Sequence, residues 1–431
     1  MKKIHITTLG CSKNTVDSEI LAGQLEAHQY EIIDSAEAAD VLIVNTCGFV
    51  QDAKEESIQT IFDLLKLKEK DPAKKVFVAG CLSQRYRAEV EKEIPEVDAI
   101  FGTEEYAQIL NTLGAPHAAL DNMYRMRKIS TPRHFAYLKI SEGCNHHCAF
   151  CAIPGIRGRH RSRTIESLVG EAEKLAEYGA KELILISQDT SYYGRELYKA
   201  SRIVELADSL QQINGPEWIR LLYWYPTNFP EGILERMQPG SKILPYLDMP
   251  IQHISSRMLH LMRRGDTRDS LQRLFYTIRD KVPDVTLRTT IILGHPGETD
   301  TDFKELYDFI SMIKFDRLGT FIYSDEENTP AFSLEDKVER EVALERQKIL
   351  MELQQHISLE KNTERIGRKY RVLIDEFNPD SAVYSARTKM DAPEIDNEVI
   401  VLGGDTRFKS GDFAEVKIVD ASEYELYAQF C

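Results

Sequence analysis

Three short apolar runs, each closing on a cysteine, punctuate the first part of the chain. Ile4-His5-Ile6-Thr7-Thr8-Leu9-Gly10-Cys11 is followed by Val41-Leu42-Ile43-Val44-Asn45-Thr46-Cys47 and then by Val76-Phe77-Val78-Ala79-Gly80-Cys81. A helix-like pattern comes after each, clearest from Ala53 to Lys70. Short apolar runs alternating with helices predict a parallel sheet. In such a sheet the loops at the carboxyl ends of the strands form the ligand crevice, so Cys11, Cys47 and Cys81 are expected on one edge. Three separately buried free cysteines are the plain alternative. Equivalent placement after three strands favours a shared three-cysteine cluster.

A second triplet is local: Cys144-Asn145-His146-His147-Cys148-Ala149-Phe150-Cys151, a C-x3-C-x2-C spacing. It starts just after an apparent strand, Phe135 to Ile140. Three thiolates are one short of a closed structural zinc site or an ordinary 4Fe–4S site, each of which takes four protein ligands. A local triplet can hold a cubane by three irons and leave the fourth for a small molecule. Zinc with His146 or His147 as fourth ligand, or three free thiols, are the alternatives. Cys431, the seventh cysteine, stands alone at the end of the sequence.

Three parts follow from the patterning: an N-terminal parallel α/β domain over 1–127, a central domain over 130–361, and a small C-terminal domain over 363–431. The segment Ile129-Ser130-Thr131-Pro132 connects the first two. Strand-like runs in the centre are Phe135–Ile140, Glu182–Ser187, Ile219–Trp224, Tyr246–Pro250, Val285–Leu293 and Leu318–Tyr323. Helical stretches between them include Ile165–Tyr178, Ile203–Ile213 and Asp300–Ile313. Six such units predict a partial TIM-like (βα)6 barrel with chemistry at the carboxyl ends of its strands. A charged helix over about Glu335–Asn362 leads out of it. Closely spaced runs at Tyr370–Asp375, Ala382–Thr388, Glu398–Leu402, Phe413–Val419 and Glu425–Gln429 then predict a small antiparallel β-barrel.

Composition bounds the function. The odd cysteine count, clustered in triplets, suits a reducing compartment such as the cytoplasm. No signal-peptide pattern and no run of about eighteen apolar residues is present, which argues against a membrane role. A net charge of −15 argues against nucleic-acid binding by bulk electrostatics and favours a basic partner.

The triplet, with Phe150 before its last cysteine, resembles the signature of radical S-adenosylmethionine enzymes. The whole chain resembles the methylthiotransferase family, which joins a three-cysteine N-terminal domain to a radical S-adenosylmethionine barrel and a TRAM barrel. The segments that carry the resemblance are Gly10-Cys11-Ser12-Lys13-Asn14-Thr15-Val16-Asp17-Ser18-Glu19, Cys151-Ala152-Ile153-Pro154-Gly155-Ile156-Arg157-Gly158, Arg161-Ser162-Arg163, Pro250-Ile251-Gln252-His253 and Gly294-His295-Pro296-Gly297-Glu298-Thr299. The first of these is similar to the ribosomal-protein branch rather than the branch acting on tRNA adenosine.

The resemblance implies two 4Fe–4S clusters, one on Cys144, Cys148 and Cys151 and one on Cys11, Cys47 and Cys81, with S-adenosyl-L-methionine as cofactor. It implies addition of a methylthio group to the β-carbon of an aspartate in the twelfth small-subunit ribosomal protein, started by a 5′-deoxyadenosyl radical. Its partners would be that protein or the assembled small subunit, an electron donor such as flavodoxin or ferredoxin, and a sulfur donor, with no membrane and no tRNA. Phe150 and Ile153 would pack the cofactor's adenine, and Gly294 and Glu298 would contact it and order the loop. A Gly-x-Pro-Gly turn opening a helix explains that last segment equally well. Gln188 and Gln252, at strand ends facing the mouth, would touch the cofactor. Arg157, Arg159, Arg161 and Arg163 form the strongest basic run, beside the triplet, where a carboxylate could meet them.

Overall fold

The computed structural model describes residues 1–115, 120–403 and 407–431. Strands β1 (Lys3–Thr8), β2 (Glu31–Ile32), β3 (Val41–Thr46), β4 (Lys75–Gly80) and β5 (Ala99–Ile100) form one sheet in the order β2-β1-β3-β4-β5, every pair parallel. Both faces of this sheet are covered, which is why its strands read as unbroken apolar runs. Leu42, Val44, Val76 and Val78 face Ile61, Leu64 and Leu65 of the helix Gln51–Lys70. On the other face, Val41, Ile43 and Phe77 meet Val16, Ile20 and Leu25 of the helix Ser12–Ala27.

The central unit begins with β6 (Phe135–Lys139). A short antiparallel pair follows, β7 (Ser141–Glu142) with β8 (Arg161–Ser162). Then come β9 (Glu182–Ile186), β10 (Trp218–Leu221), β11 (Tyr246–Asp248), β12 (Thr286–Leu293) and β13 (Arg317–Ile322). The expected six-stranded arc is present and parallel, but it is built as two three-stranded sheets, β10-β9-β6 and β11-β12-β13. The isolated bridge Ile219–Ile243 links the halves. Alternation places Leu183 and Leu185 against the outer helices, while Ile184 and Ile186 face inward with Tyr137, Leu222 and Tyr246. That inner cluster is continuous with the core under Val16 and Ile20, so the N-terminal unit closes the open side of the arc.

The long helix runs Arg340–Thr363, starting later than the sequence pattern suggests. Residues before it are irregular and tied by other contacts, among them Gly297 N–H donating to the Asp336 carbonyl at 2.6 Å. The last strands, β14 (Lys369–Asn378), β15 (Val383–Thr388), β16 (Glu398–Leu402), β17 (Phe413–Ala421) and β18 (Glu425–Phe430), close into a barrel in the order β14-β15-β16-β18-β17. Its pairs are antiparallel as expected except β16 with β18, which run parallel. The barrel docks on the amino ends of the central strands. Arg387 reaches Glu182 at 2.6 Å, His134 reaches Asp375 at 2.7 Å, and Arg317 pairs with Asp391. Among the described residues no helix is long and apolar enough to cross a membrane.

Candidate active site

The N-terminal cysteines stand where β1, β3 and β4 end. These strands are neighbours in register, Thr8 beside Asn45 and Thr46 beside Gly80, so their following loops share one edge. Close packing of the loops depends on glycine. Gly10 sits at φ +88°, and a Cβ there would lie 2.8 Å from the Cys47 Cβ. A Cβ on Gly48 would fall 2.7 Å from the Leu82 Cα, beside Cys81. Asn14, fully buried, ties the edge together: its Nδ2 donates to the Leu9 carbonyl at 2.8 Å and the Thr46 carbonyl at 3.0 Å. Ser57 fixes Cys47, donating to its carbonyl at 2.8 Å and accepting its N–H at 3.0 Å. Burial pushes the Cys81 thiol up to about 12; Arg157 opposes this, while the nearby charges of Cys11 and Cys47 add to it.

The second triplet lies over the carboxyl ends of the central strands. Cys144 accepts the His146 N–H at 3.4 Å, and the Cys151 N–H donates to the Cys148 carbonyl at 3.2 Å. Burial lifts the thiols of Cys144 and Cys151 to about 12, with the neighbouring cysteines adding. Such thiols are poor nucleophiles at neutral pH, but a bound metal deprotonates a coordinating thiol outright. The donor set therefore fits a metal cluster better than a reactive-thiol site. The His146 ring, a candidate fourth ligand, is engaged elsewhere: it stacks on Tyr225 at 3.7 Å and bonds Asp189 at 2.7 Å. His147 is exposed. Neither histidine is turned to the triplet as a fourth ligand would be. Arg264, buried over Tyr225 at 4.3 Å, supplies a cation beside Cys148.

Two of the sequence-selected polar residues bear unsatisfied atoms. The Oε1 atoms of Gln188 and Gln252 are buried and accept no hydrogen bond from the described residues. Gln252 is also held at φ +68°, a conformation that costs of order 1–3 kcal/mol and recurs at ligand sites. Its neighbour His253 is structural: burial pushes its pKa down to about 3, and its Nδ1 accepts the N–H groups of Ile254 and Ser255 at 2.9 and 3.0 Å. Phe150 meets His295 edge-on at 6.5 Å, and Ile153 opens the helix Ile153–Arg157. Gly294 and Glu298 order their loop, the Gly294 N–H donating to the Glu298 carboxylate at 2.7 Å and Arg346 pairing with it at 2.8 Å. Thr299 and Asp302 form a capping box at the start of the helix Asp300–Ile313.

Between the two thiol sets lies a buried ionic network; the sequence pointed to a carboxylate beside the basic run, but not to which carboxylates or to Lys139. Arg157 donates from Nη1 to Asp17 at 2.7 Å and to Glu142 at 3.1 Å, and from Nη2 to Asn14 at 2.6 Å and the Cys81 sulfur at 3.4 Å. Lys139 pairs with Asp17 and, at 2.7 Å, with Glu142; Tyr106 donates to Asp17 at 2.6 Å, and Gln188 to Glu142 at 2.7 Å. Burial alone raises the Glu142 carboxyl, but Lys139 and Arg157 outweigh it and hold it at about 2. The rest of the basic run is divided: Arg163 pairs with Glu171, Arg161 with Glu104, and Arg159 is exposed. The available signal was in the helix Ser12–Ala27, where Asn14, Asp17 and Ser18 put polar groups at helical spacing between buried apolar ones.

Comparison with known proteins matches this architecture part by part. Residues 3–102 match an uncharacterized protein family (UPF0004), 138–310 the Radical SAM superfamily and 366–431 the TRAM domain. The ribosomal protein uS12 methylthiotransferase RimO of Flavobacterium johnsoniae is 47% identical over 430 residues, covering 99% of this chain and 98% of the relative. RimO of Clostridioides difficile is 47% identical, covering 99% and 98%. RimO of Aquifex aeolicus is also 47% identical, covering 98% and 96%. Among solved structures, the radical S-adenosylmethionine methyltransferase TsrM from Kitasatospora setae, with cobalamin and a [4Fe-4S] cluster bound, superposes with a TM-score of 0.54. It is 13% identical and covers 77% of each chain. OxsB, a cobalamin-dependent S-adenosylmethionine radical enzyme, gives 0.53 at 13% identity, covering 82% of this chain and 56% of that one. Identities this low speak for the fold alone. Taken with the thiol triplet at the barrel mouth, the matches define a radical S-adenosylmethionine enzyme. The chain belongs to the RimO family of methylthiotransferases.

Proposed function

We propose that this enzyme replaces a hydrogen on the β-carbon of an aspartate in ribosomal protein uS12 with a methylthio group. One observation carries the reading: two three-cysteine sets face a single seam, and Arg157, ending the short helix after one set, reaches Cys81 of the other. Cys144, Cys148 and Cys151 would hold one 4Fe–4S cluster, and Cys11, Cys47 and Cys81 a second. When bound, the first cluster with S-adenosylmethionine supplies the one-electron chemistry that opens an unactivated C–H bond, and the second a site for the transferred sulfur. The protein's part is to bind, orient and exclude water. Gln188 and Gln252 offer free amide oxygens to the cofactor, Phe150 and Ile153 an apolar wall, and Gly294 with Glu298 a fixed loop. Arg264 and Arg157 each set a cation against one thiol set.

The functional units are 1–127, 130–361 and 363–431, acting in the cytoplasm with an electron donor such as flavodoxin or ferredoxin and a separate sulfur donor. From Arg365 to Cys431 the sequence has 9 Lys or Arg against 13 Asp or Glu. A barrel gripping tRNA needs several cationic phosphate contacts, whereas an acidic one suits a basic ribosomal protein. Mass spectrometry of uS12 and of tRNA from cells lacking the gene tests the reading. Loss of the methylthio increment from uS12 alone is expected; its loss from tRNA instead overturns the assignment.

A further inference from the structure

Three lysines are buried among the described residues: Lys13, Lys74 and Lys139. Lys139 has two carboxylates. Lys74 donates to the backbone carbonyls of Glu37 and Ala39. Lys13 has neither. It is only 7% exposed, yet among the described residues it forms no hydrogen bond and no ion pair. Its Nζ stands 3.0 Å from the centroid of the Tyr223 ring. An ammonium carries three donors; the stem is buried but the Nζ keeps contact with solvent, so those donors are open to a ligand at this mouth, with the ring face beneath the charge.

The place of this orphan is specific. Lys13 lies two residues after Cys11, in the first turn of the helix Ser12–Ala27. Tyr223 follows β10 at the carboxyl mouth of the central arc and is itself fixed. Its φ is +63°, its N–H donates to Asp248 at 3.2 Å, and its carbonyl accepts the Thr190 N–H at 3.0 Å. Lys13 therefore projects from the N-terminal thiol set onto the mouth of the central unit. The nearby carboxylates of the seam do not serve it: Asp17 and Glu142 are taken up by Lys139 and Arg157.

Resting on the function proposed above, the geometry points to Lys13 as the binding residue for the carboxylate of the target aspartate. Two aliphatic carboxylates could reach this mouth, that of the aspartate and that of S-adenosylmethionine. Position favours the aspartate, because Lys13 belongs to the Cys11 set. The cation beside the other triplet is Arg264. A buried ammonium–carboxylate contact also selects against a neutral target such as a nucleobase.

Binding is measured on the cluster-reconstituted chain by fluorescence anisotropy of labelled uS12 and by equilibrium dialysis of S-adenosylmethionine. Lys13→Met should weaken uS12 binding by about ten- to a hundredfold, the range for a hydrogen bond to a charged group. It should leave the affinity for uS12 carrying Asn in place of the target aspartate, and for S-adenosylmethionine, unchanged. Lys13→Arg should recover part of the loss. Removing an unpaired buried charge does not threaten the fold, and thermal melts of both variants check this. Equal weakening for the Asp and Asn forms of uS12, or weakening of S-adenosylmethionine binding alone, overturns the assignment. Failure of the wild type to bind uS12 overturns the proposed function itself, and this inference with it.

Discussion

Arg157→Ala is the sharpest test of the seam. Four buried charges, Asp17, Glu142, Lys139 and Arg157, balance to zero there. The substitution removes one cation and its donated hydrogen bonds to Asp17, Glu142 and Asn14, together with its contact to the Cys81 sulfur. Lys139 is left to serve two buried carboxylates. Breaking a buried pair from one side costs about 3–5 kcal/mol, which for units of this size lowers Tm by about 6–20 °C. Differential scanning calorimetry of the metal-free protein at one scan rate reads this directly, away from any cluster effect. Arg157→Lys keeps the charge but loses the planar fork, so it should fall between wild type and Arg157→Ala. The double variant Asp17→Asn with Arg157→Met restores neutrality and should regain much of the loss, because the two positions are coupled. A Tm for Arg157→Ala within about 2 °C of wild type, equivalent to less than about 1 kcal/mol, would refute the charge-balance reasoning.

The thiol sets separate by role. Anaerobically reconstituted protein should bind about eight irons, four per cubane. Replacing Cys144, Cys148 and Cys151 with Ala should halve the iron and abolish S-adenosylmethionine cleavage, and retained cleavage sinks the assignment. Replacing Cys11, Cys47 and Cys81 should keep cleavage to 5′-deoxyadenosine and lose the methylthio product. Normal product formation would make those thiols structural. At the barrel interface, burial raises the Asp375 carboxyl, but His134 and Arg387 more than offset this and hold it below its ordinary value. With the folded pKa below the unfolded one, its contribution is full above about pH 4 and is lost as pH falls through the folded value. The Tm difference between wild type and Asp375→Asn should therefore be constant near neutrality and close in acid. A difference that does not close would refute the role.

Much of the fold was legible because local pattern and tertiary fate coincide. Val41 to Val44 alternate between two covered faces, so the run is apolar throughout, and Ile165–Tyr178 and Asp300–Ile313 carry helical stripes with caps at Thr164 and Thr299. The positions of Cys11, Cys47 and Cys81 were legible for the same reason, each following a strand's end. The seam was not legible, since Asp17 meets Lys139 and Arg157 at sequence separations of 122 and 140 residues. A charged residue in an amphipathic helix reads as solvated until its distant partner is known. Nor does alternation reveal where an arc divides, as between β10 and β11, or that β16 and β18 pair in parallel. Those outcomes depend on connection paths rather than on residue pattern.

The helix Ser12–Ala27 has a consequence for how such a chain can be recombined. Asp17 draws its cations from the central unit, and Glu19 takes Arg127 at the end of its own unit and Ser130 from the connecting stretch, with Arg127 tied onward to Glu171. Cut from its successor, the N-terminal unit would present Asp17 without its cations, on a surface shaped to be covered. A chimera taking this unit from one parent and the arc from another inherits two halves of a lock. It should fold only where both parents cut the same key at positions 17, 139, 142 and 157.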